Sequence, residues 1–328
     1  MKGLALIYKQ FMNGFTYIIP LAVVGGVFLK LFENTQMDVF FTIGSIALFL
    51  VYPIITAFIA HGISDRPGLI IGLIGGALIT TGSSGFIGAI LMGFFTGYLI
   101  HLFQFMFKKF PVTIKGLLPV FIYPVLGTLC IALFYLGVNF AITPINTFIS
   151  QAYENLSLIA IMIFAVILSI MMVYDLGGPI NKIAYVIGVS SILNGTANVL
   201  MTAIMIAGMI PPLAIAIATS LFKSKFSEEE TKHVHHKFLM GIAFISEGAL
   251  PFKKKYNNST YLFIVGAIIS SLLVVYFNVE SNIAHGGILT LFFIDAWIYF
   301  LLTLVGSSLF TAILLGFFLP KNKKTQNV

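Results

Sequence analysis

The chain alternates long apolar stretches with short polar connections, and the stretch lengths set the first expectations. At about 20 residues per bilayer crossing, the runs at 15–32, 39–60, 68–81, 86–107, 117–138, 158–173, 183–207, 211–222, 261–277 and 297–319 predict about ten transmembrane helices. Two of them, 68–81 and 211–222, are short, and such spans hold only where they pack within protein or are extended by neighbours. The fold class expected is therefore an all-α polytopic membrane protein.

Two further apolar pieces do not fit as crossings. The piece 238–252 begins and ends beside lysines, and at 1.5 Å per residue it reaches only about 22 Å if helical. It predicts a re-entrant hairpin turning at Ser246-Glu247-Gly248, where glycine accepts unusual dihedrals and Pro251 leaves a carbonyl without a helical partner. The piece 281–295 predicts a second one, bent at Ala284-His285-Gly286-Gly287. Broken segments on both sides of the second half of the chain are the architecture of alternating-access transporters. Residues 156–320 are thus the expected transport domain, 1–155 a scaffold and dimer contact, and 321–328 a basic cytoplasmic tail. Between the two large domains, a polar linker at 144–157 is expected to lie in the interface as an amphipathic helix.

Composition supports the membrane assignment. With 59% hydrophobic and 9% charged residues in 328, and a mean hydropathy of +1.04, the chain has too little polar surface to cover a soluble globule. Its +7 charge falls into clusters at 2–9, 108–115, 223–237, 253–255 and 321–324, which the positive-inside rule places in the cytoplasm together with both termini. Glu33, Asp38, Glu154 and Glu280 lie in the connections left to face outward. The first apolar run is long enough to remain as a span, so no cleavable signal is expected. Lysines grouped this way set orientation, and no nucleic-acid partner is expected.

Against that background a carboxylate in an apolar hairpin stands out, because an acid at membrane depth usually marks a substrate or ion pathway. Glu247 is suited to a sugar: a carboxylate accepts two adjacent hydroxyls at once, replacing the water they lose. Asp175-Leu176-Gly177-Gly178-Pro179-Ile180-Asn181-Lys182 forms a second helix break. Asp175 and Asn181 either bind hydroxyls there or belong to an ordinary loop with Asp175 as helix cap and Lys182 solvated. His285 either meets a sugar hydroxyl or serves structure. The candidate substrate-binding set is Glu247, Gly248, Asp175, Asn181 and His285. Asn194 and Asn198, with Thr196 and Thr202 nearby, line the path or tie helices together.

Other residues carry less. Arg66, the only arginine, either contacts a phosphoryl group or partner with Asp65, or fixes a turn with it. Lys232-His233-Val234-His235-His236-Lys237 lacks the acidic or cysteine partners of a metal site, so no metal or cofactor is expected. Cys130 is the single cysteine and lies in an apolar run, which rules out an internal disulfide and a phosphocysteine role.

The string Ser246-Glu247-Gly248-Ala249-Leu250-Pro251-Phe252 resembles a known pattern when taken with five other segments. These are Ser64-Asp65-Arg66-Pro67-Gly68-Leu69 with Gly75-Gly76, Gly85-Phe86-Ile87-Gly88-Ala89, the Asp175–Lys182 segment, Ile210-Pro211-Pro212-Leu213 and His285-Gly286-Gly287. In this order they are similar to the EIIC membrane subunit of the fructose family of the bacterial phosphoenolpyruvate-dependent sugar phosphotransferase system. The resemblance implies a permease in the bacterial inner membrane, homodimeric, that binds fructose, mannose or a related hexose or hexitol. It also implies separate EIIB and EIIA partners, EIIB supplying the phosphocysteine that phosphorylates the sugar, because the eight residues after Pro320 hold no such domain. The family's sugar-binding glutamate falls on Glu247. Two other classes stay open at this point: an ion-coupled secondary transporter using Asp175, Glu247 and Asp295, and a membrane sensor without transport.

Overall fold

The computed structural model describes residues 2–111, 115–193, 198–285, 287–294 and 296–319. The chain divides into two compact units, Met1–Glu154 and Asn155–Val328. The described residues form helices and turns and no strand. Seven helical stretches among them are long and apolar enough to cross a bilayer. Two shorter apolar helices, Leu158–Tyr174 and Pro179–Leu193, accompany them. This is the composition of a multi-pass membrane protein.

The first unit holds α1 (Lys2–Thr35), α2 (Asp38–Phe49), α3 (Val51–Thr81), α4 (Gly85–Met106) and α5 (Tyr123–Glu154). Leu50 keeps helical dihedrals between α2 and α3, and its carbonyl accepts the N–H of Ile54 at 2.9 Å, so the two run on as one rod. The rod reverses at Ser64 and Asp65, whose dihedrals leave the helical region. Asp65 takes φ 57° and ψ −149°, a combination costly for any residue with a side chain. Three glycines make the reversal possible: Gly68, Gly72 and Gly76 stand against the backbone of Ala60, Ala57 and Pro53, where no Cβ fits. Gln104 in α4 donates to the Ser64 carbonyl at 3.0 Å and holds the bend. The short run 68–81 is thus the returning arm of a helical hairpin, supported along its length by the first arm.

At the tip of that hairpin Asp65 and Arg66 are both exposed and form no ion pair with each other. The turn is fixed by glycine packing and Gln104 instead. α5 continues as helix through Pro144 to Glu154, so most of the expected polar linker extends a long helix. Cys130 is half-buried in α5.

The second unit is built around α8 (Asn198–Leu221), which is buried over nearly its whole described length. A helix apolar on every side is stable only when surrounded, and α6 (Leu158–Tyr174), α7 (Pro179–Leu193), α10 (Val234–Ile242), α12 (Ser259–Tyr276) and α13 (Trp297–Phe318) all pack on it. Here the expected spans 183–207 and 211–222 are corrected. α8 runs unbroken through Pro211 and Pro212, because carbonyls freed by proline are tolerated where neighbouring protein covers the helix. The described part of α7 ends at Leu193 and that of α8 begins at Asn198; Asn194 and Thr196 lie outside the described residues. Gly266 of α12 lies against Thr311 of α13, a close approach that small residues permit. Between α8 and α12 come α9 (Glu228–Lys232), α10, a 3-10 turn at Ser246–Ala249 and α11 (Leu250–Lys255); a 3-10 turn at Gly287–Phe293 precedes α13.

Candidate functional site

Three irregular segments of the second unit meet around Glu247. The first is the break between α6 and α7. Asp175 accepts the N–H groups of Ile180 and Asn181, each at 2.8 Å, one on each carboxylate oxygen. These are among the donors a helix start leaves unpaired, and Pro179 opens α7 with no N–H to satisfy. The intervening Leu176 and Gly177 take φ 48° and 92°. Leu176 is held there by complete burial, and Gly177 has another reason. A Cβ on Gly177 would stand 2.5 Å from Cγ and Oε1 of Glu247, so the bare backbone is the seat of that carboxylate.

The second segment is the hairpin. α10 ends with Ile245 donating to the Met240 carbonyl at 2.9 Å, and the chain turns back through Phe244 at φ 62°. The turn therefore begins before the expected Ser246-Glu247-Gly248, and a phenylalanine takes the left-handed conformation. Its ring is buried against Gly208, 5.9 Å from the Tyr185 ring and 5.0 Å from His285, which holds it in place. Pro251 stands in the first turn of α11, where it frees no carbonyl, in correction of the sequence expectation. The returning arm of the hairpin packs along the outgoing one and the helix before it: Gly248 lies against Met240, Phe252 under the Lys237 ammonium at 6.0 Å, and Lys255 bonds Glu230 at 2.9 Å.

The third segment reaches the site as irregular, bent chain at residues 281–285. Tyr185 donates to the Ala284 carbonyl at 2.9 Å, and Gly287 sits on the backbone of Ile242 and Phe244. His285 is half-buried beside them, its ring 5.0 Å from that of Phe244 and 6.1 Å from that of Tyr185. Gly286 and Asp295 lie outside the described residues.

Asn181 ties the first two segments together. It is 5% exposed, and its amide donates to the Met172 carbonyl and to Ser246 Oγ at 3.3 Å. On the hairpin's other side Lys253 donates to the Tyr174 carbonyl, its ammonium 5.6 Å from the Tyr174 ring. A cation at the end of α6 also complements the negative end of that helix. Asn181, Gly177 and Lys253 thus hold the hairpin against the α6–α7 break at three points.

Glu247 itself is exposed within this unit, where the sequence suggested an enclosed acid, and it lines an open cavity of about 380 Å³ with Gly248, Met240 and Lys237. Asp175, Asn181 and His285 do not line that cavity. At the hairpin foot Ser227 and Glu230 form a capping box: the Glu230 carboxylate takes the Ser227 N–H at 2.8 Å and its hydroxyl at 2.9 Å. Burial pushes the Glu230 carboxyl up, but these bonds and the Lys255 ammonium outweigh it and leave its pKa below the usual range. Lys237 is held low chiefly by burial. Among the described residues no three His, Cys, Asp or Glu side chains converge on a metal-holding position.

Sequence reasoning missed Tyr185, Asn181's bond to Ser246, and the roles of Lys237, Lys253 and Lys255. The lysines registered only as orientation charges, and a tyrosine inside an apolar run gives no local signal.

Seven helical stretches long and apolar enough to cross a bilayer define the class, a multi-pass membrane protein. The chain belongs to the phosphotransferase system EIIC family, which it matches over residues 1–271. It is 34% identical over 271 residues to the fructose permease IIC component of Bacillus amyloliquefaciens, covering 82% of this chain and 89% of that protein. With the fructose-specific EIIABC component of Bacillus subtilis it shares 32% identity over 326 residues, 94% of this chain. It spans about half of that longer relative, 51% of its length. The fructose-specific EIIC component of Haloferax volcanii is 29% identical over 350 residues, covering 95% of this chain and 92% of its own. No solved structure matches.

Proposed function

We propose that the chain is a fructose-type sugar permease that binds a hexose at Glu247 and presents it to the phosphocysteine of a separate EIIB protein, itself charged by EIIA. The observation that carries this is the Glu247 carboxylate, seated on Gly177 at the hairpin tip and open to a cavity of about 380 Å³. Pockets of this order suit small ligands, and an ionised carboxylate is a strong acceptor for paired hydroxyls. The names of the relatives supply the choice of fructose. Asp175, with both oxygens on backbone N–H groups, acts in this scheme by shaping the seat of Glu247. An ion relay through the same residue is correspondingly disfavoured.

The finer architecture belongs to the same proposal. Residues 1–155 form the scaffold of a homodimer and 156–320 the transport domain, with the 238–252 and 281–295 segments re-entrant among about ten crossings. Both termini face the cytoplasm on the lysine distribution.

Uptake into membrane vesicles tests the function. Labelled fructose is expected to accumulate as sugar phosphate only with phosphoenolpyruvate, EIIA and EIIB, and Glu247→Gln is expected to fold and abolish it. Accumulation of free fructose that an uncoupler dissipates, or unchanged kinetics in Glu247→Gln, would overturn the proposal.

A further inference from the structure

α12 rises about 27 Å over its 18 residues, close to the roughly 30 Å of a bilayer's hydrocarbon core. Exposed tyrosines mark both of its ends, Tyr261 in the first turn and Tyr276 at the last residue. α13 starts beside the far end, where Tyr299 stacks on Phe277 at 4.6 Å and Trp297 is exposed. Aromatic side chains of this kind settle at the headgroup level of a membrane. α13 then packs back along α12 and returns to the level of Tyr261 at Phe318.

A cavity of about 590 Å³ lies where the start of α12 meets the end of α13. Among the described residues, Lys255 is the one it shares with the cavity at Glu247. The connection before α12 supplies a polar half, Lys255, Asn257 and Asn258, and the helix ends supply an apolar half, Leu262, Phe318 and Leu319. Tyr256 and Tyr261 also line it, each offering a ring and a hydroxyl. No acid does among the described residues. Lys255 bonds Glu230 at 2.9 Å, but the lysine side chain is 46% exposed and the carboxylate 13%, so the pair presents its cation. That ammonium lies 5.0 Å from the Tyr256 ring centroid. Asn258 opens α12 without a side-chain hydrogen bond to the first turn, and the positive end of the helix dipole adds to the same polar half.

The surroundings are cationic as well. Lys253 and Lys254 precede Lys255 in α11, Lys225 donates to the Phe317 and Leu319 carbonyls at 3.4 and 3.2 Å, and the sequence continues past Leu319 into Lys321, Lys323 and Lys324. The acids Glu228 and Glu229 are exposed on α9 and do not line the cavity. The connection 277–296 at the opposite end carries Glu280 and Asp295 and no lysine. A ligand suited to this cavity has an anionic head, an apolar body beneath it, and a place at the boundary of the bilayer. Inorganic phosphate would leave the apolar half unfilled.

We propose that this cavity seats an anionic phospholipid, its phosphodiester on Lys255, Asn257 and Asn258 and its glycerol and upper acyl chain against Leu262, Phe318 and Leu319. Basic recesses between membrane helices suit such headgroups. Lys255 also closes the hairpin foot on Glu230, so a phosphate seated there links the hairpin to the surrounding bilayer.

The test counts lipids retained by the full chain in native mass spectrometry, from detergent micelles supplied with phosphatidylglycerol and phosphatidylcholine. At least one phosphatidylglycerol is expected to stay bound with a preference of about fivefold or more over phosphatidylcholine, and excess inorganic phosphate should not displace it. Asn258→Asp keeps a good capping side chain and sets a negative charge where the phosphate would sit. It should unfold no lower than the parent and lose most of the preference. Lys255→Met combined with Glu230→Gln, which leaves no carboxylate unpaired, should lose it too. Lys254→Met, an exposed lysine outside the cavity, should keep most of it. Equal retention of the two lipids, displacement by inorganic phosphate, or an unchanged preference in Asn258→Asp would overturn the proposal. So would a loss in Lys254→Met as large as in the cavity variants, because that result marks diffuse attraction to the basic cluster.

Discussion

The Glu247 carboxylate rests on Gly177, which a side chain could occupy only by displacing it: an added Cβ would lie 2.5 Å from Oε1. Gly177 also holds φ 92°, where an L-residue pays roughly 1–2 kcal/mol. Gly177→Ala is therefore expected to fold with a modest loss of stability and to weaken fructose binding at least tenfold by pushing the carboxylate off its seat. Because the clash is with this one side chain from Cγ outward, Glu247→Ala in the Gly177→Ala background should regain part of the stability. Additive losses in the double variant, measured by thermal unfolding, would show that the two residues do not act as a pair.

Asp175 gives a sharper test of role than of presence. Its two oxygens cap α7 through the N–H groups of Ile180 and Asn181. Removing such a cap costs about 0.5–2 kcal/mol. Asp175→Ala should lower the unfolding temperature and weaken sugar binding indirectly. Asp175→Asn keeps a capping oxygen and should hold sugar affinity within a fewfold of the parent. A direct sugar contact through the charge predicts instead that Asp175→Asn binds as poorly as Asp175→Ala.

How far these roles were legible follows from what each depends on. The α6–α7 break was readable because Gly177, Gly178 and Pro179 punctuate the chain locally. The α3 reversal was not, since it rests on Gly68, Gly72 and Gly76 meeting residues of the same rod, a contact between distant positions. Pro211 and Pro212 misled for the opposite reason: their local signal is a helix break, and surrounding protein overrides it. Phe244 at φ 62° shows the same override, with burial of its ring offsetting a conformation that Gly248 was expected to take. The hairpin foot joins Glu230 to Lys255, 25 positions away, and no spacing rule links them.

That foot sets a pH dependence. Glu230 has its folded pKa lowered, so its contribution is fully present above the unfolded carboxylate value, about 4.3, and is lost as pH falls through the folded one. Lys255 is raised: burial opposes its charge, but the Glu230 and Tyr256 partners more than compensate. Its contribution is present below the unfolded lysine value, about 10.4, and is lost as pH rises through the folded one. The link is therefore intact across neutral pH. Unfolding temperatures of the parent and Glu230→Gln should differ between about pH 6 and 9 and converge in acid below the carboxylate range. A difference that stays constant into acid would mean that the Glu230 charge contributes nothing.

Asn181 is the buried joint between the α6–α7 break and the hairpin, and its two contacts predict different costs. The amide donates to the Met172 carbonyl and to Ser246 Oγ. Asp at this position cannot donate when ionised, and it would turn a buried negative charge toward a carbonyl oxygen. Leaving buried polar groups unsatisfied costs about 1–3 kcal/mol, more when one is charged. Asn181→Asp should therefore unfold at clearly lower temperature and release the hairpin, with Glu247 losing its seat and fructose affinity falling in step. Ser246→Ala removes only the 3.3 Å contact and leaves the Met172 bond, so its effect should stay near 1 kcal/mol or less. If Ser246→Ala instead weakens fructose binding as much as Asn181→Asp while stability holds, the serine hydroxyl meets the sugar itself and the joint is not what positions Glu247.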